Sequence, residues 1–463
     1  MSERVLFRGG HVLTMDPAAG DIFGGDVLVD GEQIAAVGRD LEVGDAEVVD
    51  ATGSIVIPGF IDSHRHTWET VIRGVAPDVS LAGYFEVVLA AFAPAYRPED
   101  VYAGNYLGAL EAIDAGVTTL LDWSHINNTP DHSDEAIRGL SRAGLRAVYC
   151  YGNPNTSLAD WWYESELESP EDIRRVREQY FSSDDQLVTL AMGTRGPGFC
   201  KPEVVKHDWE LARDVGAPIS VHVGMGPIAG RFSMVKQLDE MGLLGPDTTY
   251  IHCNYLSDEE FRLIADSGGK ISIAPAVEMY MGHGTPPTAK ALAHGLRPSL
   301  SIDVVTTVPG DMFTQMRFLF ASDRLLAHEA AFEAGNVEEP TFLSSREVLE
   351  FATIEGARVC GLDDRTGSLT PGKQADLVLI RCDQSNTYPV IDPVSTVVHQ
   401  ADTRNVDTVM VGGRFLKRGG ELVGADLAGA RDRAEASLDH LLSATQIQPN
   451  WVQSARLEPV HGH

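Results

Sequence analysis

His64 and His66 stand one residue apart at the end of the apolar run Ser54-Ile-Val-Ile-Pro-Gly-Phe-Ile-Asp-Ser-His-Arg-His66. Side chains alternate along a strand, so both imidazoles would leave its carboxyl end on one side, placed to hold a single metal ion. Three further polar residues follow apolar strands in the same way: His222 after Pro218-Ile-Ser-Val, His252 after Thr248-Thr-Tyr-Ile, and Asp303 after Pro298-Ser-Leu-Ser-Ile. Imidazole and carboxylate together suit a divalent transition metal, with zinc ahead of iron(II).

Such distant strand ends meet only if the strands close on themselves. Strands are expected at 117–124, 146–152, 187–193, 218–223, 248–253, 270–275 and 297–303, and the strand before His64 makes eight. Helical patterns separate them: Ser169-Pro170 opens 171–181, and Ser257 with Glu260 and Ser344 with Glu347 are capping boxes. A doubly wound open sheet has the same alternation, but ligand candidates after strands one, five, six and eight favour an α/β fold of the (β/α)8 TIM-barrel type, with its site at the C-terminal mouth.

Short strands broken by turns flank this region on both sides. Asp30-Gly31, between Val27-Leu-Val29 and Gln33-Ile34, reads as a hairpin, and the strand rhythm returns over 367–380, 409–413 and 414–416. Residues 1–57 and 366–425 are expected to pair into a small composite β-sandwich, 58–365 to form the barrel, and 426–463 a C-terminal helix, at 427–443, and tail. His461 and His463 in that tail are expected to be solvated.

Composition narrows the class. The chain has 463 residues, 43% of them hydrophobic, with a formal charge of -31. Such a charge repels nucleic acid and anionic membranes, and no apolar run is long enough for a membrane span. The five cysteines are scattered without a CxxC pair, and Met1-Ser-Glu-Arg-Val lacks a secretory pattern, so a cytoplasmic protein acting on a small molecule is expected.

Pro58-Gly-Phe-Ile-Asp-Ser-His-Arg-His66 and Gly367-Ser-Leu-Thr-Pro-Gly-Lys-Gln-Ala-Asp-Leu-Val378 resemble the entry into the barrel and the return to the sandwich of the amidohydrolase superfamily. His252-Cys-Asn254, Asp303 and Asp311-Met-Phe-Thr-Gln-Met-Arg317 are similar to the branch with cytosine, guanine and S-adenosylhomocysteine deaminases and triazine hydrolases. The resemblance implies one divalent ion held by His64, His66, His222 and Asp303, and a homo-oligomer, either dimer or tetramer. It also implies catalytic roles for Asp303, as the base that takes a proton from the attacking water, and for His252, just outside the metal shell. No counterpart of the carboxylated lysine of binuclear relatives appears where strand four runs into Met192-Gly-Thr-Arg-Gly-Pro-Gly198.

One position departs from this pattern. Deaminases of the branch carry a glutamate three residues after the strand-five histidine, and Met225 stands there instead. Methionine cannot carry a proton. Glu69, His125 and Glu278 are candidates to compensate or to bind substrate, each with a structural alternative as a loop cap, a core histidine or a solvated charge. His283 is a candidate substrate contact, and Trp68, of the aromatics near strands one and three, is the expected wall for a planar substrate. The reading is a mononuclear hydrolase that cleaves a C–N bond, in a heteroaromatic amine or an amide. A dechlorinating triazine-type hydrolase, a non-hydrolytic lyase, isomerase or decarboxylase, and a metal-bound binding protein remain alternatives at this level.

Overall fold

The computed structural model describes residues 4–42, 44–336 and 339–447, so the expected tail beyond residue 447, with His461 and His463, lies outside the described residues. Eight parallel strands follow one another in chain order around a barrel: β1 (Phe60–Arg65), β2 (Val117–Ser124), β3 (Arg146–Tyr151), β4 (Val188–Thr194), β5 (Ile219–Val223), β6 (Thr248–His252), β7 (Lys270–Ile273) and β8 (Ser299–Leu300). An open doubly wound sheet is thereby excluded. The seam between β8 and β1 is closed by backbone bonds from Asp303 N to His64 O, 3.0 Å, and from His66 N to Asp303 O, 2.8 Å. The residues that join the ends of the barrel are therefore candidate metal ligands.

β8 is shorter than the apolar pattern 297–303 predicts: beyond Leu300 only single backbone bonds continue the pairing, from Ser301 N to Ile273 O at 2.9 Å and through Asp303 to β1. There Ile302 N donates to the Asp62 carboxylate at 3.0 Å instead of to a neighbouring strand. The helix of 171–181 is found as Asp172–Tyr180, both capping boxes form, and the last described helix is Leu427–Thr445. Among the described residues no helix is long and apolar enough to cross a membrane.

The two flanking β segments merge into one mixed nine-stranded sheet. Ile55–Pro58, just before the barrel, pairs antiparallel with Leu377–Ile380, just after it. The expected hairpin forms, with Asp30 opposite Gln33. Asp376, in the return motif, anchors sheet to barrel: its carboxylate accepts from Arg146 Nε at the start of β3, 2.7 Å, and from Gly412 N, 2.7 Å. Both side chains are buried, so losing either one would strand a charge away from water.

The loop after β1 is pressed against the helix Pro98–Asp114, and Gly104 permits this contact. A Cβ there would lie 2.3 Å from the carbonyl oxygen of Trp68. Gly104→Ala is expected to destabilise the protein by about 1–3 kcal/mol through overpacking, measured as a lowered thermal midpoint. An unchanged midpoint would show that the loop yields freely.

Candidate active site

All the strand-end candidates converge at the C-terminal mouth. His64 ends near the tip of β1, His66 follows it, His222 lies on β5, His252 closes β6, and Asp303 comes just after β8. β1 carries a register shift between Asp62 and Arg65, yet the two histidine rings meet at 4.8 Å between centroids. His252 and Asp303 adopt left-handed backbone conformations, φ 73° and 67°, which ordinary residues seldom hold. Such strain persists where surrounding bonds over-determine it, here through the seam bonds of Asp303 and the bond from Cys253 N to Val223 O, 3.0 Å.

Four donor atoms gather within 4.8 Å of one another, from His64, His66, His222 and Asp303, all buried. His64 Nε2 lies 3.1 Å from Asp303 Oδ1 and 3.1 Å from His222 Nε2, and His66 Nε2 lies 3.4 Å from Asp303 Oδ1. One cation placed among His64 Nε2, His222 Nε2 and Asp303 Oδ1 would satisfy all three atoms at once. His66 Nδ1–H donates to Trp123 O at 2.7 Å, which leaves its Nε2 lone pair aimed at the cluster, as in orienting shells around metal sites. Burial pushes all three imidazoles below their ordinary range, His66 down to about 3, so they are neutral and ready to ligate at pH 7. Burial opposes charge on Asp303, but its hydrogen bond with His64 and the nearby His252 and His66 outweigh it and hold the carboxyl below its usual range. The residues present fit a divalent metal.

A second group lies beside the first. His252 Nε2 is 3.8 Å from Asp303 Oδ2, and its Nδ1 is 3.1 Å from Glu278 Oε1. Burial alone would lower the pKa of His252, but Glu278 behind it and Asp303 before it raise it above the ordinary value. Glu278 is held in turn by Ala274 N, 2.8 Å, and Asn254 Nδ2, 3.1 Å. It is fully buried, so the solvated-charge alternative does not hold, because the short helix Pro275–Tyr280 after β7 turns it inward against His252 at the end of β6.

His125 stacks on His66 at 4.0 Å and accepts from Trp68 Nε1 at its Nδ1, 3.1 Å, which leaves its Nε2–H as a donor. His283 is buried edge-on to His252, 4.7 Å between ring centroids, and neither of its ring nitrogens has a partner. Both imidazoles line the innermost cavity, together with Met225.

Trp68 and Glu69 sit one layer further back. Trp68 was expected as a cavity wall, but the 3-10 turn Thr67–Ile72 packs its indole into the core behind His125. The aromatic walls are Tyr84, Phe85 and Trp162 instead. Glu69 takes hydrogen bonds from Tyr84, 2.6 Å, and Thr306, 3.2 Å, and burial pushes its carboxyl well above the usual range. It braces the wall and does not face the cavity. Leu81, Leu89 and Met281 also line the cavity and carry no polar group to mark them in the sequence; for Leu81 and Leu89 the signal was a stretch after β1 too apolar for a surface helix.

Comparison with known proteins agrees with this geometry. A 5'-deoxyadenosine deaminase of Methanothermobacter thermautotrophicus is 31% identical over 449 residues, 95% of this chain and 99% of its own. A 5-methylthioadenosine/S-adenosylhomocysteine deaminase of Thermococcus kodakarensis is 29% identical over 89% of this chain and 93% of its own. Among solved structures, the zinc complex of atrazine chlorohydrolase TrzN from Arthrobacter aurescens TC1 superimposes with TM-score 0.83 at 24% identity, covering 94% of this chain and all of its own. A zinc-bound adenosine deaminase from Xanthomonas campestris superimposes with TM-score 0.81 at 22% identity, over 95% of this chain and 98% of its own. These two likenesses show the shared fold. The profile of the amidohydrolase family spans residues 55–416, from the last strand before the barrel to the return sheet, and so takes in every strand-end donor described above. By that match and by its closing seam of histidine and aspartate, this chain belongs to the amidohydrolase family.

Proposed function

We propose that this protein binds one divalent ion, zinc ahead of iron(II), through His64, His66, His222 and Asp303 and hydrolyses a C–N bond, releasing the amino group of a heteroaromatic small molecule. The observation that carries this is the convergence of four buried donors beside a second, carboxylate-backed histidine, His252. Deaminase relatives matched over nearly their whole length support the choice of an amine as leaving group.

When bound, a divalent ion supplies a water nucleophile at neutral pH by lowering the pKa of water from 15.7 to roughly 7. Asp303 takes the proton that the attacking water loses. His252, within 3.8 Å of Asp303, hands a proton to the departing nitrogen and is recharged from Asp303. Glu278 fixes the tautomer and orientation of His252. His125 and His283 offer the remaining hydrogen bonds to the substrate. Met225 takes no part in proton transfer, so the proton that passes from the attacking water to the departing nitrogen travels through Asp303 and His252 alone.

Turnover in 18O-labelled water tests the reaction class: the label must enter the carbon product with equimolar amine release, and its absence refutes hydrolysis. A narrower test concerns Glu278. Its carboxylate raises the pKa of His252, which as an acid is active only when protonated. Glu278→Gln is therefore expected to move the alkaline limb of the kcat profile to lower pH and to reduce kcat by about 10–100-fold. A reduced kcat with an unmoved limb would mean that Glu278 serves only packing.

A further inference from the structure

The innermost cavity, about 30 Å³, adjoins a chamber of about 480 Å³, and the two share Leu81, Phe85, Met225 and Met281 as lining. Met225 thus stands at the neck between the reacting groups and the outer space. Beyond the neck the walls are mainly apolar, including Leu158, Phe199, Phe232 and Met234. Among the described residues the only carboxylates lining either chamber are Asp303 and Glu86, and no lysine or arginine lines them.

We propose that the outer chamber is a subsite for an uncharged aryl or alkyl substituent of the substrate, and that it excludes substituents bearing a carboxylate or phosphate. The reacting end of that substrate rests on the C–N hydrolase reading above; the subsite rests on the chamber itself. Its volume falls within the range of about 300–1,000 Å³ usual for small-molecule sites. An apolar group entering it leaves water for carbon and sulfur surface, and Met225 and Met281 adapt their flexible side chains to its shape. An anion entering it would lose its hydration with no cation to pair with, near Glu86 and in a protein of net charge -31. Methionine at the neck follows the same logic, since a carboxylate there would interrupt the apolar path.

The test is calorimetric titration of the metal-loaded full chain with three pyrimidin-4-ones bearing a methyl, a benzyl or a 4-carboxybenzyl group at C6. The benzyl probe is expected to bind about tenfold or more tightly than the methyl one, and the carboxybenzyl probe about tenfold or more weakly than the benzyl one. Ala82→Trp, at an exposed position on the chamber wall, should erase the benzyl advantage. Phe232→Arg, at a residue 45% exposed, should restore binding of the carboxylated probe. Equal affinities, no measurable binding, or a benzyl advantage that survives Ala82→Trp overturns the subsite. Turnover of the matching 4-aminopyrimidines is scored separately: a benzyl preference in binding without amine release from any of them refutes the hydrolase reading and leaves the subsite standing.

Discussion

Asp303→Asn is expected to reduce kcat by about 10²–10⁴-fold, the range attributable to a positioned general base. The carboxylate is asked to do two things at once. Oδ1 sits 3.1 Å from His64 Nε2 among the proposed metal donors, while Oδ2 faces His252 Nε2 at 3.8 Å. Asparagine keeps the shape but has no charge to balance a divalent ion and cannot take a proton. The backbone should survive, because the seam bonds of residue 303 use its main-chain N–H and C=O. Kinetics and elemental analysis on the same sample separate the two roles. Turnover within tenfold of the unsubstituted protein, with one metal restored per chain, would remove Asp303 from the mechanism.

Stripping the metal is the second large effect. Chelation is expected to bring amine release to background and to lower stability by about 3–4 kcal/mol when the free ion had been present at 10²–10³ times its Kd. The cause is the density of the site. His64, His66, His222 and Asp303 are buried with their donor atoms within 4.8 Å of one another, and burial keeps the imidazoles neutral, so a bound cation is the partner that all four share. Returning zinc and iron(II) singly, each followed by activity and a thermal scan, identifies the preferred ion. Full activity in protein shown by mass spectrometry to be metal-free would refute the assignment.

Much of this was legible beforehand. Eight apolar strands separated by helices, with polar residues after the first, fifth, sixth and eighth, pointed to a closed barrel, and the four proposed ligands lie within 4.8 Å of one another at its mouth. Trp68 shows where such reading stops. An aromatic two residues beyond His66 could face the cavity or the core, and the 3-10 turn with Gly104 beneath it decides for the core. Glu278 shows the opposite case: it looked as much like a loop charge as a site residue, and the turn after β7 buries it behind His252.

The sequence by itself determined the alternation of strands and helices and the kinds of donor at the strand ends, because hydrophobic periodicity and residue chemistry are local properties. Only the tertiary structure decided which donors touch. His64 and Asp303 lie 239 positions apart, and their contact depends on closure of the barrel, which no local pattern encodes. The same holds for the pairing of His252 with Glu278 and for Met225 at the neck of the cavity. Side-chain direction beyond the end of a strand is set by the neighbouring elements that pack against it, and those are brought together only by the whole fold.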